Sequence, residues 1–287
     1  MIQIILLDLS QVMISNIMLQ VGQHTDAIQP DLVRHMILNT VRSLKVKFGA
    51  EYGEIVICAD DRKYWRREYF PPYKGNRKAD REKSNIDWHA LFDMLNVIKQ
   101  EIKDNFPYRV VQVEGAEADD VIGTIAMEFG SELNNGNKIL ILSGDKDFVQ
   151  LQRFGNVSQY DPVRKKEIKS NNPELFLKEL VLSGDRGDGV PNVLSPDNCI
   201  IEGLRQKPLR ETKIRELLDA DFTSLPEDIQ RNWNRNSMLI DLRCIPTNIR
   251  EAVLREYESQ AGKPRDKMFN YFINHKMKML MESISEF

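Results

Sequence analysis

Four short runs dense in Ile, Val and Leu punctuate the first half of the chain, at residues 2–7, 54–59, 108–113 and 138–142. Between them lie longer stretches in which apolar residues recur at helical spacing, such as 30–46, 87–103 and 117–129. Runs this short suit strands buried on both faces, and strands of that kind alternating with helices predict an α/β fold, a mostly parallel central sheet flanked by helices. After about residue 172 the strand signals fade. Helical segments follow, broken at Gly184, Gly189, Pro191 and Pro196 and again near Pro208, Pro226 and Pro246. The expected organisation is therefore an α/β core over residues 1–183 and a helical C-terminal portion over 184–287, packed on that core and expected to bind DNA. With 287 residues, 41% of them hydrophobic, the chain can bury a full core.

Composition narrows the function classes. A net charge of −3 argues against a uniformly basic coat for nucleic acid but allows segregated charge. The N-terminal Met-Ile-Gln-Ile-Ile-Leu-Leu-Asp has no positive flank, so a secretory signal is not expected. No apolar stretch approaches the ~20 residues of a membrane span. Cys58, Cys199 and Cys244 lack zinc-site spacing and, being odd in number, give no disulfide framework. A cytoplasmic protein with reduced cysteines is expected.

The strand ends carry the chemistry. In open parallel sheets the functional crevice lies beyond the carboxyl ends of the strands. The first run ends in Asp8 and the second in Asp60, with Asp61 beside it. Beyond the third come Glu117, Asp119 and Asp120, opening a helix whose apolar face is Val121, Ile122, Ile125 and Ala126; the fourth leads to Asp145 and Asp147. One strand-end Asp commonly caps a loop or helix. Four strands delivering acids to one rim is another matter, because like charges about 4 Å apart repel by roughly 4 kcal/mol at an effective dielectric near 20 and require a countercharge. An oxygen-only set points to a hard ion, Mg²⁺ or Mn²⁺. A further pair, Asp185 and Asp188, lies in a glycine-rich turn, where a solvated loop is an equal alternative on local grounds.

Residues 62–83 hold nine Lys and Arg against three acids, interleaved with Tyr64, Trp65, Tyr69, Phe70 and Tyr73. Cations that track phosphates and rings that stack on unpaired bases make a single-strand binding surface, although a charge run is more often a solvated face. Tyr64, Arg66, Arg67, Tyr73, Lys74, Arg77 and Lys78 are its candidate nucleic-acid contacts.

These segments together resemble the flap endonuclease and 5′-to-3′ exonuclease family, in the form found in T-even type tailed phages. The resemblance rests on Leu-Leu-Asp-Leu-Ser-Gln at the start, Val-Arg-His-Met-Ile-Leu-Asn at 33–39, Tyr-Trp-Arg-Arg at 64–67 and Tyr-Lys-Gly-Asn-Arg at 73–77. Glu-Ala-Asp-Asp at 117–120, Gly-Asp-Lys-Asp-Phe at 144–148 and the closing Ser-Ile-Ser-Glu-Phe complete it. It implies a 5′ nuclease with a PIN-like core and a helical arch over 62–85, leaving 5′ phosphates and removing RNA primers and adjacent DNA during phage replication. It implies two Mg²⁺ ions, with Mn²⁺ as a substitute. Asp8, Asp60, Glu117, Asp119 and Asp120 would surround the first, and Asp145, Asp147, Asp185 and Asp188 the second. Lys74 and Arg77 would engage the phosphate beside the catalytic Asp119 and Asp145, and Tyr73 would stack on a terminal base. RNA-DNA hybrid, duplex and 5′-flap DNA would be substrates of a monomer working beside a single-strand DNA-binding protein and a sliding clamp. Where the family has a Gly-x-Gly-x-Lys hairpin that grips duplex, this chain reads Val-Pro-Asn-Val-Leu-Ser-Pro-Asp-Asn from Val190, so the resemblance carries no duplex grip to that segment.

Rival classes fare worse. A haloacid dehalogenase-type phosphatase needs a second Asp two residues after the first, and Ser10 stands there; no P-loop motif occurs. A flap- or single-strand-binding accessory protein without catalysis is the alternative, but it has little use for an acid cluster that repels DNA. Near the C-terminus Phe269, Ile273, Met277, Leu280 and Ile284 recur at helical spacing, a stripe suited to core packing or to a partner contact.

Overall fold

The computed structural model describes residues 2–21, 29–84, 86–130 and 136–287; residue 85, the last of the expected arch, lies outside them. The strands are β1 (Gln3–Asp8), β2 (Glu54–Cys58), β3 (Arg109–Val111), β4 (Lys138–Leu142), β5 (Val157–Asp161) and β6 (Lys166–Ile168). They form one sheet in the order β3-β2-β1-β4-β5-β6, parallel throughout except that β6 runs antiparallel to β5. The helices are α1 (Leu9–Val21), α2 (Pro30–Tyr52), α3 (Trp65–Tyr69), α4 (Asn76–Glu82), α5 (Trp88–Asn105) and α6 (Ala118–Phe129). They continue with α7 (Pro173–Ser183), α8 (Glu211–Asp219), α9 (Glu227–Ile240), α10 (Thr247–Ser259), α11 (Lys267–Asn274) and α12 (Lys278–Glu282), and a 3-10 helix spans Lys146–Arg153. The four expected strands are present; β5, β6 and α1 are additions to the sequence expectation.

Period-2 alternation sorts each strand's side chains between two cores. Ile5, Leu7, Ile55, Ile57, Leu140 and Leu142 face α1, α2, α5 and α11. Ile4, Leu6, Val56, Cys58, Ile139 and Ile141 face α6 and α10. Helix starts follow local chemistry: the Asp87 side chain accepts from Ala90 N–H at 2.9 Å to open α5, and Glu117 and Asp120 form a reciprocal capping box at α6. The α6 face buries Val121, Ile122, Ile125 and Ala126 as expected.

The C-terminal stripe divides. Met277 and Leu280 are buried and Ile284 packs beside them, while Phe269 and Ile273 are each 51% exposed. The physical reason is a break between α11 and α12, where Lys276 takes φ 55° and resets the helical phase. Met268, Tyr271 and Phe272 therefore carry the packing of α11.

Candidate active site

Parallel register brings the strand ends together. Asp8 pairs with Cys58, Leu7 with Leu142 and Leu142 with Tyr160, so Asp8, Asp60, Asp145 and the unanticipated Asp161 leave the sheet on one rim. Asp161 is structural: its carboxylate accepts from Val163 and Arg164 N–H at 2.9 Å each and closes the β5–β6 hairpin. Asp61 likewise holds a loop through Gly115 N–H at 3.0 Å.

Asp8 is buried and accepts from Gln11 N–H and the Ser143 hydroxyl, both at 3.1 Å. Burial, with Asp60 and Asp145 nearby, pushes its pKa up to about 7. Asp60 accepts from Ala118 N–H at 2.9 Å, tying β2 to the start of α6. Asp119, Asp145 and Asp147 are all raised, by burial first. Asp145 raises Asp119; Asp188 and Asp185 raise Asp145; and all three of Asp145, Asp188 and Asp185 act on Asp147. One buried oxygen of Asp147, Oδ1, has no hydrogen-bond partner.

Basic side chains meet the rest of the acids. Fully buried Glu117 receives Arg66 at 2.9 Å, the Tyr73 hydroxyl at 3.0 Å and Lys74 Nζ. Asp188 receives the Tyr73 hydroxyl at 3.1 Å and the Arg77 guanidinium, with Lys74 Nζ at 3.7 Å; burial opposes its charge, but Lys74 and Arg77 hold it below the usual carboxylate range. Lys146 pairs with Asp185 at 2.8 Å. The turn that aims Asp185 and Asp188 depends on glycine: a Cβ on Gly184 (φ 67°) would lie 2.4 Å from Val190 O, and one on Gly189 (φ 72°) 2.9 Å from Pro72 O. Against it Lys74 sits at φ 54°, its N–H donating to Asp188 O at 2.7 Å, a strained backbone of the sort found where function holds it.

Three expectations are corrected. Arg66, expected to touch nucleic acid, is 2% exposed: it lies between Glu117 and Asp120 (2.9 and 2.8 Å), donates to Leu239 O and stacks on Trp65. Tyr73, expected to stack on a base, is 2% exposed, because its hydroxyl is drawn to Glu117 and Asp188. Asp120, expected to face a metal, is fully buried, with Oδ2 accepting from Trp65 Nε1 and Glu117 N–H and Oδ1 against Arg66. Arg67 and Lys78 are exposed, with Lys78 Nζ 4.0 Å from Glu82, and Arg67 also donates to Tyr73 O at 3.2 Å.

A cavity of about 670 Å³ opens beside the rim. Asp60, Tyr64, Lys74 and Arg77 line it, together with residues that sequence reasoning did not single out: Arg81, His89, Phe92 and Lys99. Arg81 lies over the rings of Trp88 and Phe92 at 5.7 and 4.8 Å, an arrangement hinted at only by the wide i, i+7 and i, i+11 spacings. Among the described residues no three His, Cys, Asp or Glu side chains converge to hold a metal ion, since Arg66, Lys74, Arg77 and Lys146 engage several carboxylates. The donor set nevertheless fits a hard cation: it is all oxygen, burial and neighbouring acids raise the pKa of Asp8, Asp119, Asp145 and Asp147, and Asp147 keeps an orphaned oxygen.

Comparison with known proteins agrees with this arrangement. Residues 11–180 match the model for a 5′-3′ exonuclease, N-terminal resolvase-like domain, and residues 171–287 match that for the C-terminal domain of T4 RNase H. The chain is 35% identical to the ribonuclease H of Enterobacteria phage T4, over 99% of this chain and 95% of that protein. A 5′-3′ exonuclease of Buchnera aphidicola (subsp. Schizaphis graminum) is 29% identical over 55% of this chain and 53% of its own. In fold, the chain is similar to the bacteriophage T5 flap endonuclease crystallised as a pseudo-enzyme-product complex with DNA and metal ions (TM-score 0.63, 18% identity, 91% of this chain and 99% of that one). With one family model over its first part and the other over its remainder, the chain belongs to the 5′-3′ exonuclease family, in the branch typified by the ribonuclease H of phage T4.

Proposed function

We propose that the protein is a divalent-metal-dependent 5′-to-3′ exonuclease and flap endonuclease that removes RNA primers and adjacent DNA during phage DNA replication. The observation that carries this is the acid rim at the ends of β1, β2 and β4, with a cavity beside it that Asp60 lines together with Tyr64, Lys74, Arg77 and Arg81. Asp8, Asp60, Glu117 and Asp119 are the candidate holders of one ion, and Asp145, Asp147, Asp185 and Asp188 of a second; Mg²⁺ is the expected ion, with Mn²⁺ able to substitute. Bound there, the ions supply an activated water and neutralise charge developing on the leaving 3′ oxygen.

The chain's own residues do the placing. Lys74, buried, and Arg77, half-buried, both lining the cavity, release Glu117 and Asp188 and turn to the phosphate of the nucleotide entering the cavity. Arg66 and Tyr73 stay inside and hold Glu117 in position. The outward Arg67 and Lys78 add phosphate attraction along the arch.

The test is incubation of a 5′-labelled RNA-DNA hybrid and a 5′-flap DNA with Mg²⁺ and with EDTA. Short products released from the 5′ end only with Mg²⁺ support the nuclease; tight binding without cleavage would leave a flap-binding protein. Asp119→Asn and Asp145→Asn should lower turnover by orders of magnitude with little change in binding, and unchanged turnover would refute the assignment.

A further inference from the structure

Both acids of the turn between Gly184 and Gly189 are engaged, by partners of two kinds. Asp188 Oδ1 takes the Arg77 guanidinium, and its Oδ2 takes the Tyr73 hydroxyl at 3.1 Å, with Lys74 Nζ at 3.7 Å. Asp185 Oδ1 accepts from Asp188 N–H at 3.2 Å, and its Oδ2 pairs with Lys146 Nζ at 2.8 Å. Lys74 and Arg77 line the cavity, where the phosphate of an entering strand can take them over. Lys146 does not: among the described residues, the cavity is walled by α1, the end of β2, the arch, α5 and Gln112. An entering strand therefore leaves the pair of Lys146 with Asp185 in place.

The backbone fixes where Lys146 stands. It separates Asp145 from Asp147 in Gly-Asp-Lys-Asp and opens the 3-10 helix. Asp145 caps that helix by accepting from Asp147 N–H at 2.9 Å, and the Gln159 amide donates to Asp145 O at 2.6 Å. The main chain of Lys146 is thus held while its side chain, 51% exposed, crosses to Asp185. An ammonium group is built into the set Asp145, Asp147, Asp185 and Asp188, and it leaves Asp147 Oδ1 buried without a hydrogen-bond partner. Asp8 and Asp60, in the other set, accept instead from neutral donors: Gln11 N–H, the Ser143 hydroxyl and Ala118 N–H. A cation at Asp185 acts against a divalent ion twice. It occupies an oxygen that would otherwise be a ligand, and its charge repels a second cation drawn to the same acids.

We propose that Lys146 is a resident competitor for the second divalent ion, an assignment that rests on the metal-dependent reading above. By holding Asp185 it keeps the affinity of that set below the affinity of the set around Asp8 and Asp60. Asp185 becomes a ligand only when Lys146 swings out to solvent, which its half-exposed side chain allows.

The test is Mn²⁺ binding to the full-length protein without nucleic acid, followed through the EPR signal of the free ion, for the parent, K146M and K146R. Met keeps the apolar stem and drops the charge, whereas Arg keeps the charge. K146M should bind the weaker Mn²⁺ at least about 5-fold more tightly, because one like charge leaves its ligand set, and the tighter one with less than about 2-fold change. K146R should stay within about 2-fold of the parent at both. A second Mn²⁺ that appears only in K146M supports the proposal in the same way. Binding by K146M that matches the parent overturns it, and so does weaker binding, which would make Lys146 a brace for the turn. Equal tightening of both ions overturns it too, since the charge then acts only as a general field. Should K146M melt early, K146Q, which keeps an amide donor for Asp185, makes the same comparison. Cleavage of a 5′-flap DNA by the parent is read separately. No cleavage in Mg²⁺ removes the nuclease reading, whereas cleavage with equal Mn²⁺ binding by parent and K146M removes only the role of Lys146.

Discussion

A guanidinium sealed between two sealed carboxylates is costly to disturb. Arg66→Ala would leave Glu117 and Asp120 charged and buried with half their compensation gone, which costs about 3–5 kcal/mol, readable as a lower denaturant midpoint. Arg66→Lys keeps the charge but loses the planar fork, and should recover only part of that loss. The raised acids give a pH signature. Asp8, Asp119, Asp145 and Asp147 have folded-state pKa values above those of the unfolded chain, so protonation favours the fold. Their contribution is full below the ordinary Asp value of about 4 and is lost as pH rises through the folded values, about 7 for Asp8. Melting in EDTA should therefore fall between pH 6 and 8, and saturating Mg²⁺ should flatten the slope; a slope that is the same with and without Mg²⁺ counts against a metal at these residues. Which strand-end acids share a rim was legible in the sequence, because parallel strands must end together. The inward turn of Arg66 and Tyr73 was not. A cation within a basic run carries no local mark of direction, and only the fold sets Glu117 opposite it.

At the scale of elements, the turn carrying Asp185 and Asp188 and the base of the arch are one joint. Gly189→Ala would place a Cβ 2.9 Å from Pro72 O at a φ of 72°, so the turn must shift or strain. The expected cost is about 1–2 kcal/mol, with a larger proportional loss of turnover than of stability, because the Lys74 N–H to Asp188 O contact moves with it. Thermal melting and cleavage rates on one preparation separate the two effects. The sheet was partly legible: β1, β2 and β4 are nearly uniform in Ile, Val and Leu, as strands covered on both faces must be. β5 escaped because it reads Val-Ser-Gln-Tyr-Asp, its buried Gln159 spending its amide on Ser143 and Asp145 carbonyls rather than on apolar packing. α1 escaped because it follows β1 directly, with no Gly or Pro between them and only the Asp8 carboxylate, which accepts from Gln11 N–H, to mark its start.

Across the whole molecule, the helices after residue 184 brace both faces of the sheet. α10 packs on α6, while α11 sets Phe272 against Phe106 at 5.7 Å and an interplanar angle of 81°. Phe272 is fully buried, so Phe272→Ala should cost about 3–5 kcal/mol and lower the single transition of the entire protein. A separate early transition, with the rest of the melt unchanged, would show α11 to be an independent appendage. Glu101 on α5 ties the same region together, accepting from Arg34 at 2.7 and 2.9 Å and from the Tyr271 hydroxyl at 2.7 Å. The order of strands has a consequence for how the protein comes into being. β1 lies at the centre, yet its second neighbour, β4, is synthesised only after β2 and β3 have gone by. A nascent chain emerging from the ribosome therefore carries an Ile- and Leu-rich edge open to wrong partners for much of translation, so slow refolding and better yields from cool, slow expression are built into this topology.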